Sequence, residues 1–213
     1  MSVSGGIRNY KALQKQLEDM KKAPKAVMRA MTADAKKRIP PWVAAEVSKV
    51  YGVKKGEISS GDLGNVKVTG DTFKDVKITY TGRTLTPTHF GMTPKVPGPN
   101  AYTLKAQIIR GEKATLGKVK KLTKKQRAAL GKNFTRSGTQ KSDHSPVMLM
   151  RANGGHYLPF QRKSVRRDDI KAIKTISLPQ MVSSERTEKN IQTAISEGLQ
   201  KRMDHHMKRY GLE

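Results

Sequence analysis

The sequence predicts an α+β fold: N-terminal helices and a C-terminal amphipathic helix around a small antiparallel sheet, with a long basic loop. Three observations predict it. Apolar residues recur at helical spacing up to about residue 51, they alternate with polar residues from 52 onward, and they return to a four-residue spacing after 183.

The first region, residues 1–51, reads as helical. Ile7, Leu13, Leu17 and Met20 fall close to one helical face, with Lys11, Lys15, Glu18 and Lys22 between them. Pro24 marks a break and then suits the first turn of a second helix. That helix is expected over 25–38, burying Val27, Met28, Met31 and Ala35, and Pro40-Pro41 is expected to end it, because neither proline can donate to the helix ladder. A third, short helix carrying Trp42, Val43, Val47 and Val50 should run to Tyr51 and stop at Gly52.

Residues 52–112 and 143–182 read as the sheet core. Val66 and Val68, then Val76, Ile78 and Tyr80, then Tyr102, Leu104, Ala106 and Ile108 each alternate with polar neighbours, the signature of half-buried antiparallel strands. Between them, residues 85–100 hold prolines at 87, 94, 97 and 99, which predicts a projecting loop without regular structure. Val147 to Met150, a turn at Gly154-Gly155, and His156 to Arg162 read as a hairpin. Ile170, Ile173 and Ile176 follow, the last in a short strand expected to end at Pro179. From 183 the chain should close with a helix capped by Ser184, whose Ile191, Ile195, Leu199, Met203 and Met207 form an apolar stripe for packing against the sheet or a neighbouring subunit.

Residues 113–142 stand apart. They carry ten Lys or Arg and no acidic residue, with glycines at 117, 131 and 138, and read as a mobile basic arm with a few helical turns around 122–130. Over the whole chain 43 Lys and Arg face 17 Asp and Glu, a formal charge of +26, while hydrophobic residues make up only 35%. Self-repulsion of that size opposes compaction and favours an anionic partner, and a subunit short of apolar material gains burial by oligomerising. The candidate contacts to DNA or an acidic protein are Lys118, Lys120, Lys121, Lys124, Lys125, Arg127, Lys132, Arg136 and Lys141. Only Phe134 is aromatic there, so base stacking is not expected and any nucleic-acid contact should track phosphates without regard to sequence.

No constellation predicts catalysis, a cofactor or a metal site. The chain has no cysteine, which removes disulfides and thiolate ligands. His205 and His206 are adjacent and point about 100° apart on a helix, the wrong spacing for a shared metal, and read as a polar face near the C-terminus. His89 and His144 fall in loops. Gly5-Gly6 and Gly154-Gly155 lack the following Lys-Ser or Lys-Thr of a phosphate cradle, no Gly-x-Ser-x-Gly elbow occurs, and Asp168-Asp169 beside Arg166-Arg167 read as a turn. No apolar run reaches the roughly 20 residues that span a bilayer. Residues 1–8 lack the apolar core of a signal peptide, so assembly in a cytoplasm is expected.

The order of these features is similar to that of a known family. A basic helical region ending in Val50-Tyr51-Gly52-Val53-Lys54-Lys55 precedes the strand at Leu104 to Arg110. A polybasic insertion follows, then the glycine-turn hairpin of Val147 to Gln161. Ile173 to Val182, containing the string Ser177-Leu178-Pro179-Gln180-Met181, leads into the last helix. In these strings the chain resembles the minor tail protein Z family of lambda-like phages and prophages. The resemblance implies a non-enzymatic tail completion or neck component of the virion, near the head-proximal end of the tail. It implies a ring of subunits, often six-fold, in contact with tail tube or terminator protein and neck proteins, and passing or touching genomic DNA. The proline-rich loop departs from the family pattern. Charge alone also fits a ribosome-like nucleic-acid-binding protein, and a tail-tip or tape-associated protein differs from the first reading in place only.

Overall fold

Val27, Met31, Ala35, Ile39, Val43 and Val47 repeat every four residues, and each is nearly or fully buried. In a computed structural model of the chain this stripe organises one uninterrupted helix, α1, Lys25–Val50. The described residues are 2–5, 25–97, 101–119, 147–152, 155–162 and 169–211, those at 2–5 and 162 by backbone only. The helix expected over Ile7 to Met20 lies outside them. The break expected at Pro40-Pro41 does not occur. Each proline removes one ladder bond and its ring crowds the carbonyl four residues back, at about 3 kcal/mol or more. The stripe, however, stays in phase across them, and burying Ile39, Val43 and Val47 returns roughly 1.5–3 kcal/mol each, a sum of the same order as the loss.

The chain divides into two units, residues 1–84 with 176–213, and residues 85–175. In the first, β1 (Ser2–Gly5), β2 (Asn65–Thr69) and β3 (Lys77–Thr81) form an antiparallel sheet in the order β1-β3-β2, with Val3 and Val66 both opposite Tyr80. Ser2–Gly5 is therefore a strand where a helical region was expected. Ile78 and Tyr80 point into the core, as their period of two requires. A short helix, α2 (Lys55–Ser59), buries Ile58 and packs on α1. Gly70 closes β2 at φ +103°, and a Cβ there would collide with the Asp75 carbonyl, so the turn requires glycine.

Ser177, Leu178, Pro179, Gln180 and Met181 build a second short helix, α3 (Leu178–Val182). The strand expected to end at Pro179 is replaced by it, since Pro sits well in a first helical turn. Gln180 Oε1 accepts from the Ser177 backbone N–H at 2.8 Å and from its hydroxyl at 2.9 Å, while Leu178 and Met181 are completely buried. Thr187 Oγ1 donates to the Met181 carbonyl at 2.6 Å and ties α3 to α4 (Glu185–Arg209). Helix α4 starts at the expected cap: the Ser184 hydroxyl accepts from the Arg186 N–H at 3.3 Å.

Ile191, Ile195, Leu199, Met203 and Met207 are all buried within the chain itself, and α4 packs chiefly along α1. The stripe offered for packing on the sheet or a neighbouring subunit is thus covered within the chain, where the four-residue stripes of two helices meet each other. The close approach has one visible condition. A Cβ on Gly198 would stand 2.5 Å from Cη2 of the Trp42 ring, which is rigid. We expect Gly198→Ala to lower stability by about 1–2 kcal/mol in urea unfolding, although Ala normally gains about 1 kcal/mol over Gly within a helix. A stabilised variant would refute the contact.

The second unit holds two further sheets, so the small sheet expected from the sequence is three separate ones. β4 (Tyr102–Ala106) pairs with β5 (Ala114–Val119), and β6 (Val147–Arg151), β7 (Tyr157–Arg162) and β8 (Ile170–Ala172) form an antiparallel set in that order. The hairpin read from Val147 to Arg162 is present, with Val147 opposite Gln161. The proline-rich segment does not project. Leu85, Pro87, Phe90 and Met92 are buried, and Thr93 exchanges two backbone hydrogen bonds with Lys105, at 2.8 and 2.9 Å. Proline forbids ladders but not burial, and the apolar residues between the prolines supply the anchors.

Candidate anionic-partner interface

The charge is unevenly placed. Residues 85–175 hold 20 Lys and Arg against 4 Asp and Glu, so +16 of the +26 lies in the second unit. Its strands decide where the described part of that charge goes. On β4, Leu104 and Ala106 face inward, which turns Thr103 and Lys105 outward. Thr103 lies opposite Lys118 on β5, and cross-strand partners share a face, so Lys105 and Lys118 stand exposed on one side of the ribbon. Arg110 and Lys113 are exposed in the connection between the two strands.

The basic arm is thus shorter at its start than expected. Ala114–Val119 is strand, held by five pairings to β4, and Gly117 is packed so closely on Val147 that a Cβ would lie 2.5 Å from its Cγ2. Of the nine predicted contacts, Lys118 is placed, exposed on β5. Lys120, Lys121, Lys124, Lys125, Arg127, Lys132, Arg136 and Lys141 lie outside the described residues, as do the helical turns expected around 122–130.

A different cluster escaped the sequence reading. Asp34 on α1 accepts from Arg38 Nε at 2.9 Å, from Arg202 Nε at 2.5 Å and bonds His206 Nε2 at 2.9 Å. His206 is buried, so the polar-face reading holds for His205, which is exposed, and fails for its neighbour. The signal was available: Arg202 and His206 are four apart and flank the Met203–Met207 stripe, so they share the side that meets α1. Desolvation alone would raise the affinity of Asp34 for a proton. The hydrogen bonds from Arg202, Arg38 and His206, with the Arg202 charge, outweigh it and hold the carboxyl well below the usual carboxylate range.

This cluster ties α1 to α4 through Arg202 and His206, and no group of three or more metal-ligating side chains occurs among the described residues. The sign of its pH dependence follows. A carboxyl whose folded-state pKa is depressed contributes stability above its unfolded value, near 4, and loses it as pH falls through the folded value. Asp34→Asn should therefore cost about 2 kcal/mol at neutral pH, less than for a fully buried pair, and the gap to the parent should narrow below about pH 4. A gap that stays constant in denaturant titrations down to pH 3 would contradict the tie.

Burial raises the Tyr80 phenol above its usual range, and its hydroxyl has no partner among the described residues. His156 is exposed, His89 is half-buried near the start of the proline-rich segment, and His144 lies outside the described residues. No described helix is long and apolar enough to cross a membrane. Compared with known proteins, the chain matches no family model, no curated protein and no solved structure.

Proposed function

We propose that the chain is a structural subunit of a phage tail, a completion or neck component of the minor tail protein Z type, acting by docking and not by catalysis. The observation that carries the reading is the concentration of +16 in residues 85–175, of which Lys105 and Lys118 share an exposed face of the β4–β5 ribbon and which the basic stretch after Val119 continues in sequence. A surface of this kind suits a phosphate backbone or an acidic protein wall, and it needs no reactive group.

The string Ser177-Leu178-Pro179-Gln180-Met181 supports the family likeness in a physical way. Its residues cap and bury α3, which aims the chain into α4, so this string has a structural reason to recur in any chain built on this helix pair. In the proposed setting, copies of the subunit form a ring at the head-proximal end of the tail. The second unit faces either the DNA that passes through or the tail tube and terminator proteins.

Particles purified from cells that carry the gene test this directly. The chain should be found in them by mass spectrometry at a few copies per tail, and a tag on it should label the head-proximal end by electron microscopy. Absence from particles, together with recovery bound to ribosomal RNA, would replace the tail reading by the nucleic-acid one. Label at the opposite end would make it a tip or tape-associated protein.

A further inference from the structure

Helices α1 and α4 run antiparallel. Asp34 meets Arg202 and His206, and Trp42 meets Gly198, so the N-terminal half of α1 lies beside the C-terminal half of α4. Their charges segregate along the pair. Residues 25–38 and 198–209 together hold nine Lys and Arg against two Asp, a net of +7 without the two histidines. At the other end, residues 39–50 and 185–197 hold three Lys and Arg against four Glu, a net of −1.

Folding explains half of this polarity. Helix α4 has Glu185 and Glu188 in its first turn and His206, Lys208 and Arg209 in its last, as the helix dipole favours. Helix α1 is the reverse. No acid stands in its described first turn; Lys25 stands there instead, where a cation is unfavourable by about 0.3–1 kcal/mol, with Arg29 one turn further on. The antiparallel packing then sets these cations against the basic end of α4. Among the described residues, Lys25, Arg29, Lys37 and Lys201 are exposed and have no ion-pair partner. Lys36 reaches Asp71 at 3.7 Å, a solvent-exposed pair that is weak in water.

We propose that this end of the α1–α4 pair is a second polyanion-docking surface, separate from the basic arm, and that its partner is a phosphodiester backbone. Charge that works against both its own helix and its neighbour is stabilised when an anion occupies the surface. The composition favours phosphate over protein. Protein interfaces centre on desolvated aromatic and aliphatic anchors and are depleted in Lys. Here Tyr210 is the one large apolar side chain exposed at that end among the described residues; beside it the exposed groups are the small Ala26 and Ala33, the single acid Asp204, and otherwise cationic or polar side chains.

The test uses the full chain and fluorescein-labelled duplex DNA, with affinity followed by anisotropy across a salt series. The quadruple variant Lys25→Gln, Arg29→Gln, Lys37→Gln and Lys201→Gln should keep its circular dichroism and unfolding midpoint, because all four side chains are on the surface. Its slope of log K against log salt should become shallower by about 3, and affinity near 100 mM salt should fall at least tenfold, at roughly 0.9 of slope per lost phosphate contact. A control at the other end, Lys49→Gln with Arg186→Gln and Lys189→Gln, should change the slope by less than 1. An unchanged slope in the quadruple variant overturns the proposal. Binding that the variant loses to poly-glutamate but retains to duplex DNA overturns its phosphate version and assigns an acidic protein. The parallel variant Lys120→Gln, Lys121→Gln, Lys124→Gln and Lys125→Gln separates the two surfaces: loss there alone supports the arm and defeats the helix-pair site, and loss in the helix variant alone does the reverse.

Discussion

Leu199→Ala is expected to lower the stability of the chain by about 3–5 kcal/mol, the range for emptying a fully buried leucine site that cannot collapse. Leu199 has no exposed surface and lies at the centre of the α4 stripe, one residue from the Gly198–Trp42 approach. Both ends of α4 are fixed: α3 and the Thr187 bond anchor its start, and the Asp34 tie anchors its end. The cavity therefore stays open. The loss should be the same at low and high protein concentration in urea unfolding, because the stripe is buried within one chain. If the loss appears only at high concentration, the stripe packs between subunits and the assignment of a chain-internal core is wrong.

Phe90→Ala should cost a similar amount, about 3–5 kcal/mol, in the second unit. Phe90 is completely buried, its carbonyl accepts from the Gln107 N–H at 2.8 Å, and three residues on Thr93 pairs with Lys105. A segment held by two strand-like bonds and a buried ring is part of the core. Hydrogen exchange of the Thr93 and Lys105 amides reads this locally: both should lose protection in the variant. A change under about 0.5 kcal/mol, the usual scale for an exposed loop residue, would restore the projecting-loop picture.

Those two sites also mark where the sequence was legible and where it was not. The period of two around Ile78 and Tyr80, and around Leu104 and Ala106, located β3 and β4, because half-buried strands must alternate. The five apolar residues from Ile191 to Met207 located α4 and its cap. The α+β class followed from these alone. Proline misled twice. Local chemistry at Pro40-Pro41 argues for a helix end, and only the in-phase stripe across it, a tertiary fact, carries α1 through. In residues 85–99 four prolines hid Leu85, Phe90 and Met92, whose burial needs partners distant in sequence. The Asp34 tie joins residues 168 and 172 apart, a separation that no spacing rule reaches. At the candidate interface the charge was legible in full, since it is composition. Its outward face on β4–β5 and its polarity along α1–α4 were not, because both depend on which strands and helices pair.

The role proposed for this cationic excess is engagement of a polyanion. Affinity of the purified chain for duplex DNA between 50 and 200 mM salt measures it most directly. Engagement of six or more phosphates predicts a loss of about a thousandfold or more across that range. Binding that is absent at the lowest salt, or indifferent to salt throughout, would contradict it.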